Sequence, residues 1–553
     1  MEETTGESVD EERKGKALKL DLDTILVEEI GQFGWYQWRA LALVALVALM
    51  GGYSGNDFVF TAARIPTRCE VPECESEASD FTPAWLPLAV PTVSGAFDNC
   101  QRFNSSNFEA PSANDTCSAD IFDRDSVIPC DRYVYENADT IVYEFGLACE
   151  EWRRSLIGSA STFGMMLALP LTGWVADQRG RRTALALNAF NRAWLGLARY
   201  FTHSYTSFII LEFLEAASGA AGFACAYTIA MEFVGPKFRV AAGAMTSTCF
   251  SLGVMLQALM AWIFPYWRHL ILALYIPQLF MVFYFWIMPE SVRWYMSKGR
   301  YTESEKVLKQ AALINRKVLS EKSLLGLRQN SEEEIKKKKL AKEHKVREPS
   351  LLSLVFKHKP ILLRCMITPM WWITTTLVYY GLSMNAVNML GNKYLNYAAV
   401  AAVEIPGFWT AVLLLDRIGR KPLLFGAFWI CAMCQVAFIF MPDGYFGLSL
   451  AVYLTGKYCI SIVVTSIYIY TNELYPTQYR TSLFAFSSMI GRIGSITAPL
   501  TPALGSMVWE PLPFVLFATL AAASGLLLLL APETRGQPLP DTMHQAANIG
   551  RNT

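Results

Sequence analysis

Three short polar motifs each occur twice in this chain, at almost one separation. Asp177-Gln178-Arg179-Gly180-Arg181-Arg182 returns as Asp416-Arg417-Ile418-Gly419-Arg420-Lys421, an offset of 416 − 177 = 239. Glu232 with Pro236 and Arg239 returns as Glu473 with Pro476 and Arg480, an offset of 473 − 232 = 241. Pro289-Glu290-Ser291 returns as Pro532-Glu533-Thr534, an offset of 533 − 290 = 243. A chain built as two copies of one unit is confined to folds with internal repetition. The medium follows from composition: 53% of the residues are hydrophobic and 17% charged, where a soluble domain carries about 25% charged residues. Two parallel repeats of about six helices in a membrane place a binding site near the bilayer midplane between the halves, the arrangement of a transporter.

Twelve apolar runs approach the roughly 20 residues that cross about 30 Å of hydrocarbon. They divide the chain into an N-terminal segment 1–36, helix 1 at 37–60, a loop at 61–154, helices 2–6 within 155–289, a linker at 290–360, helices 7–12 within 361–532 and a tail at 533–553. The expected fold is an all-α membrane protein of two six-helix bundles. The first apolar run is too long for a signal-peptide core and reads as a retained span. A net charge of zero excludes a bulk electrostatic case for nucleic acid. No G-x-x-x-x-G-K-[ST] loop is present, so an ATP-driven pump would lack the usual grip on nucleotide phosphates.

Lys and Arg fall in alternate short connections, at 179–182, 237–239, 417–421 and 480, while those near 203, 443 and 508 hold none. The positive-inside rule then puts both termini and the linker in the cytoplasm of a plasma-membrane protein and residues 61–150 outside. That outer segment contains Cys69, Cys74, Cys100, Cys117, Cys130 and Cys149, with sequons at Asn104 and Asn114. Six cysteines in an extracellular loop read as three disulfides, and 15 connectivities are open. The other six cysteines lie in apolar runs. Lys336 to Lys339 invite a contact with membrane lipid, but a solvated helical linker is the preferred reading.

At the repeated motifs the chain resembles the major facilitator superfamily, whose loops after the second helix of each half read G-x-x-x-D-[RK]-x-G-R-[RK]. Gly173, Asp177, Gly180, Arg181 and Arg182 fit, with Gln178 in place of a base; the second copy has Val412 in place of the first glycine. Within that superfamily it is similar to the organic cation, organic anion and carnitine transporters. Pro289 to Trp294 match their Pro-Glu-Ser-x-Arg-Trp, Pro532 to Thr542 their closing motif, and Asn472 to Thr477 lie close to their Ala-Glu-Leu-Tyr-Pro-Thr. The resemblance spans roughly residues 35 to 545 and implies alternating access with no enzymatic chemistry, no cofactor and no metal. Glu212-Phe213-Leu214-Glu215 departs from the family, which has Arg at the first of these positions; compensating Arg–Glu pairing between helices 3 and 4, drawing on Arg192 and Arg199, accounts for it.

The repeated charges suit a gate, since ion pairs at helix ends can bridge in one conformation and part in another. Its members are Asp177, Arg181, Arg182, Glu232, Arg239, Glu290 and Arg293 in the first half, and Asp416, Arg417, Arg420, Glu473, Arg480 and Glu533 in the second. The competing reading is that they only anchor loops. The chemistry is expected where charge is costly, at the mid-membrane residues Glu404, Lys457 and Arg492. Glu404 is 416 − 404 = 12 residues from Asp416 and Arg492 is 492 − 480 = 12 from Arg480, so both stand about 18 Å above the inner ends. They either pair with each other or receive opposite ends of a substrate. Lys457, 473 − 457 = 16 residues from Glu473, lies about 24 Å up, nearer the outer side.

The resemblance implies that Arg492 marks carnitine and anion carriers, where many cation carriers have Asp, and that Glu404 matches an acidic position of cation and carnitine carriers. Tyr380 and Tyr379 are expected to offer ring faces to an ammonium group. The sequence thus predicts a polyspecific transporter of small organic cations or zwitterions. Organic anion exchange is the alternative, and a non-transporting receptor or scaffold the rival of another class. A zwitterion accumulated against its gradient needs a coupling ion such as Na⁺, for which no dedicated motif is legible. Glu404, Lys457 and Arg492 have no charged counterparts at 164, 216 and 252, so repetition is expected only at the cytoplasmic helix ends.

Overall fold

The computed structural model describes residues 22–75, 80–93, 96–105, 117, 121–343, 351–442, 444–537, 539–540 and 542–549. Among the described residues ten helices are long and apolar enough to cross a membrane: α1 (Trp35–Thr61), α2 (Glu151–Arg179), α4 (Tyr205–Phe233), α5 (Pro236–Ile263), α6 (Trp267–Ile287), α7 (Lys359–Asn388), α8 (Lys393–Ile418), α9 (Arg420–Ile439), α10 (Phe446–Leu474) and α11 (Arg480–Met507). Two more complete the twelve: α3 (Arg181–Ala198), whose Arg181, Arg182 and Arg192 dilute its apolar character, and the shorter α12 (Leu512–Leu528).

The halves repeat in their packing. Among the described residues α1 packs on α5 as α7 does on α11, α2 on α4 as α8 on α10, and α3 on α6 as α9 on α12. The halves meet along α2–α11 and α5–α8, a symmetric seam. Close crossing needs small residues, because helices in lipid associate by backbone approach rather than by hiding apolar surface from water. A Cβ at Gly253 would overlap the Leu49 carbonyl across α1–α5, and one at Gly494 the Ile373 carbonyl across α7–α11. Their offset is 494 − 253 = 241. The repetition therefore extends into the membrane, contrary to the expectation that it stops at the helix ends; single glycines are too common to stand out as a motif.

Among the described residues the loop between α1 and α2 forms three two-stranded antiparallel sheets, joining β1 (Thr67–Cys69) to β6 (Tyr133–Tyr135), β2 (Thr92–Val93) to β3 (Ala96–Phe97), and β4 (Gln101–Ser105) to β5 (Phe122–Pro129). Of the 15 pairings open to the sequence, the fold uses Cys69–Cys130, Cys74–Cys117 and Cys100–Cys149. Arg102 holds Glu73 at 3.0 Å. Burial opposes ionisation there, but the Ser105 hydroxyl and the Arg102 guanidinium keep the Glu73 carboxyl below its ordinary range. Asn104 lies on β4; Asn114 lies outside the described residues.

The opposite face carries the linker helices Val292–Ser297, Tyr301–Ile314, Glu321–Glu343 and Leu351–Lys357. Residues from both ends of the chain dock there. Ser320 N donates to Glu29 (2.9 Å), and Arg364 Nη1 donates to the carbonyl of Ala546 (2.7 Å) in the terminal helix Met543–Ala547. We call the two sides the disulfide face and the linker face.

Candidate substrate site and gate

On the linker face the motifs form two copies of one device. Gly180 (φ 106°) and Gly419 (φ 111°) start α3 and α9 in the left-handed region that favours glycine. Glu290 accepts from the N–H groups of Arg181 (2.9 Å) and Arg182 (3.2 Å), and Glu533 from those of Arg420 (3.1 Å) and Lys421 (2.9 Å). Each carboxylate thus satisfies the unpaired donors at a helix start, where the dipole also favours negative charge. Arg181 lies between Asp177 (2.6 Å) and Glu232 (3.4 Å); Arg420 lies between Asp416 (2.9 Å) and Glu473 (2.9 Å).

Gate arginines also take partners outside the gate set. Arg239 does not meet Glu232; it pairs with Asp23 at 2.6 Å, and Arg293 pairs with the same carboxylate. Asp23 precedes every repeated motif, so nothing in the doubling pointed to it. Arg480 does not meet Glu473; it donates to Thr477 Oγ1 (3.0 Å), while Glu473 is already held by Arg420 and Thr534. Arg182 lies over the Phe285 ring, and Arg417 is exposed. Among the described residues none of these ion pairs joins the two halves. The Asp177 and Asp416 side chains are 66% and 80% exposed, so each retains room for a further partner.

At mid-membrane the Glu404–Arg492 pairing, one of the two alternatives open to the sequence, does not form. Lys457 Nζ lies 2.9 Å from Glu404 Oε1, with both residues buried. The difference in depth counted from the sequence, four residues or about 6 Å, is spanned by the four-carbon lysine stem and the glutamate arm. Lys457 also donates to the Tyr379 carbonyl (2.8 Å) and to Ser383 Oγ (2.7 Å), and its ammonium sits 3.5 Å from the centre of the Tyr379 ring. Tyr379 therefore offers that ring face to a lysine, not to a ligand. Glu404 accepts in addition from Ser251 Oγ on α5 (2.7 Å), a hydrogen bond between the halves. Ser251 lies 251 − 239 = 12 residues from Arg239, the same depth as Glu404.

Arg492 is half-buried, and among the described residues no ion pair holds it. The Tyr380 hydroxyl lies against its guanidinium. Tyr468, 39% exposed, sets its ring edge-on to Trp372 with centres 4.7 Å apart. Trp371 packs against Tyr470, and Trp409 donates to Thr248 on α5 (3.1 Å).

In the first half the Arg–Glu pairing expected between α3 and α4 is present, as Arg192–Glu215 (2.9 Å) and Arg199–Glu212. Asp57 of α1, missed in the sequence because it ends an apolar run, joins Arg199 at 2.8 Å. Nearby, the two halves close on the disulfide face. Phe60 stacks on Tyr394 and meets Tyr397 edge-on, with centres 5.6 and 5.0 Å apart, and Ser159 donates to the Ile496 carbonyl (2.9 Å).

A family model described as "Sugar (and other) transporter" matches residues 94–544. An organic cation transporter protein of Drosophila melanogaster is 30% identical over 536 residues, 95% of this chain and 94% of its own length. Solute carrier family 22 member 6 of Mus musculus is 29% identical over 533 residues, 95% and 94%. In architecture the chain is similar to the xylose transporter XylE from E. coli in an inward-open conformation, with a TM-score of 0.59 at 14% identity over 91% of this chain and 98% of that one.

Proposed function

We propose that this chain, which belongs to the major facilitator superfamily and within it to the organic cation, organic anion and carnitine transporter family, carries small organic ions whose carboxylate docks on Arg492. Zwitterions of the carnitine type are the first expectation. The observation that carries this reading is the unequal fate of the mid-membrane charges: Lys457 neutralises Glu404, whereas Arg492 has no carboxylate of its own among the described residues. A half-buried guanidinium without a counter-ion favours a planar anionic group, which it can grip with two parallel hydrogen bonds. The ammonium end of a zwitterion then meets aromatic faces such as Tyr468 and Tyr380, each contact contributing about 0.5 to 2 kcal/mol. The same surplus positive charge favours plain organic anions as the second reading. A simple cation, which the sequence also allowed, finds Glu404 already engaged.

Alternating access would rock the two bundles about the α2–α11 and α5–α8 seams, with the linker-face clusters travelling as rigid caps and Asp177 and Asp416 finding partners when that face closes. Arg and Lys on the short linker-face connections and disulfides on the other face support a plasma-membrane orientation with both termini inside. A zwitterion moved against its gradient needs a coupling ion, and Na⁺ is the candidate.

Uptake of radiolabelled carnitine, a β-alanine conjugate, p-aminohippurate and tetraethylammonium, with and without Na⁺, tests the proposal. Carboxylate-bearing compounds should enter and Arg492→Ala should abolish their uptake. Uptake of tetraethylammonium alone, indifferent to Arg492→Ala, would overturn the reading.

A further inference from the structure

The first half encloses five ionisable side chains that substrate binding does not use: Asp57 of α1, Arg192 and Arg199 of α3, and Glu212 and Glu215 of α4, each at most 8% exposed. Arg199 holds Asp57 Oδ2 at 2.8 Å, contacts Glu212, and donates to the Tyr275 hydroxyl of α6 at 2.5 Å. Arg192 Nε lies 2.9 Å from Glu215 Oε1, and Arg192 Nη2 donates to the Ser54 carbonyl (3.3 Å). Three carboxylates against two guanidiniums leave 2 − 3 = −1. Among the described residues no cation other than Arg192 and Arg199 forms an ion pair with the three carboxylates. On α2, Arg153 and Arg154 are paired with Glu150 and Glu151, and Glu151 also holds Arg64 beyond the end of α1 (3.4 Å); on α6, Arg268 is paired with Glu144; α8 brings Lys393, whose ammonium lies over the Tyr394 ring, and Glu404, already held by Lys457.

A buried carboxylate without a counter-charge costs several kcal/mol, and the low-energy remedy is a proton. The geometry leaves a place for one. Glu212 spends Oε2 on Arg199, while its Oε1 is buried with no hydrogen-bond partner; Glu215 Oε1 also makes no hydrogen bond but lies 2.9 Å from the Arg192 guanidinium. A metal ion fits less well: two guanidiniums stand in the cluster, and among the described residues no group of three or more His, Cys, Asp or Glu is arranged to hold one.

The cluster is also tied to the seal between the halves. The helix of α1 stops at Tyr53 and resumes at Phe58. Within that break the Ser54 carbonyl is taken by Arg192 and the Tyr275 hydroxyl, Ser54 Oγ by Gln278, and Asp57 by Arg199. Three residues beyond Asp57, Phe60 closes on Tyr394 and Tyr397 of the other half. Parting that seal pulls on the segment that buries the cluster.

We propose that the Asp57–Glu212–Glu215 carboxylates bind one proton drawn from solution on the disulfide face. Glu212 carries it while that face is sealed, and it returns to the same solution when the seal opens and water reaches the cluster. Closing the seal is then linked to proton uptake, and one proton sets a limit of about tenfold per pH unit on the linked equilibrium.

Infrared difference spectra of the purified protein read the proton directly and need no substrate. The wild type should show a protonated-carboxyl C=O band whose intensity titrates with bath pH. Glu212→Gln, a neutral isostere of the protonated acid, should lose it, while Asp416→Asn should keep it. Should Glu212→Gln not fold, Asp57→Asn removes the same surplus charge and should also lose the band. Replacing Na⁺ by N-methylglucamine at fixed pH should leave the band unchanged. Absence of the band from the wild type, its persistence in both carboxylate variants, or its replacement by a Na⁺-dependent signal would overturn the proposal.

Discussion

On the linker face Glu290 caps α3 as Glu533 caps α9, and Arg181 joins Asp177 to Glu232 as Arg420 joins Asp416 to Glu473. Inside the membrane the halves part company. The first half buries three carboxylates and two guanidiniums, paired among themselves with one negative charge in excess. The second sets Glu404 against Lys457 and Arg492, for 2 − 1 = +1, and leaves Arg492 without an ion pair among the described residues. Repeated contacts are those that two rocking bundles both need: helix caps, motif ion pairs and close glycine crossings. Unrepeated ones sort themselves by partner. A charge fully used by its own half holds structure, and one left over is available to a ligand or, in the first half, to a proton.

The division can be broken most severely at Arg199. Arg199→Met strands Asp57 and Glu212 in the interior, and removing one member of a buried ion network costs about 3 to 5 kcal/mol. It should lower the thermal midpoint of the purified protein more than Lys457→Met, Gly180→Ala or Asp416→Asn does. Lys457→Met strands only Glu404 and should cost less, and Glu404→Leu added to it should recover most of the loss. A double-mutant cycle on thermal unfolding measures that coupling, and additive losses would mean the pair is not a unit.

Smaller effects probe the symmetric face. Gly180→Ala and Gly419→Ala force a side chain into left-handed backbone, about 1 to 3 kcal/mol each. Gly180→Ala should be the worse, since its Cβ would run into Glu290 Oε2 where that of Gly419 would only crowd Glu533. Equal losses in melting temperature would show that strain, not the neighbouring carboxylate, sets the cost. The smallest effect on stability belongs to Asp416→Asn: the side chain is 80% exposed, and an exposed ion pair contributes about 1 kcal/mol or less. Its turnover should nevertheless fall at unchanged surface expression, and full turnover would remove Asp416 from the gate.

Much of the architecture is legible in the sequence, because hydropathy and repetition are properties of the sequence itself. The spans, the two bundles and the motif residues follow from them, as does Arg–Glu pairing between α3 and α4. Partner choice is not legible. Counting rise along straight helices puts Lys457 too high for Glu404, since it ignores how far side chains reach. Grouping charges by motif gives the members of the gate set but not their contacts: Arg239 pairs with Asp23 and Arg480 donates to Thr477, neither of which belongs to that set. Asp57 is invisible as a lone acid at the end of an apolar run. Glycine crossings escape because a repeated single residue is indistinguishable from chance.

Arg492 is the central residue, as the seat of a carboxylate, and the most direct test compares two substrates that differ only in that group. Initial uptake of radiolabelled carnitine and of its decarboxylated trimethylammonium analogue should be measured in cells expressing the wild type and Arg492→Ala. The wild type should prefer carnitine by at least about tenfold, equivalent to about 1.4 kcal/mol, and Arg492→Ala should erase the preference. Equal uptake of the two by the wild type, or a preference that survives Arg492→Ala, would contradict that role.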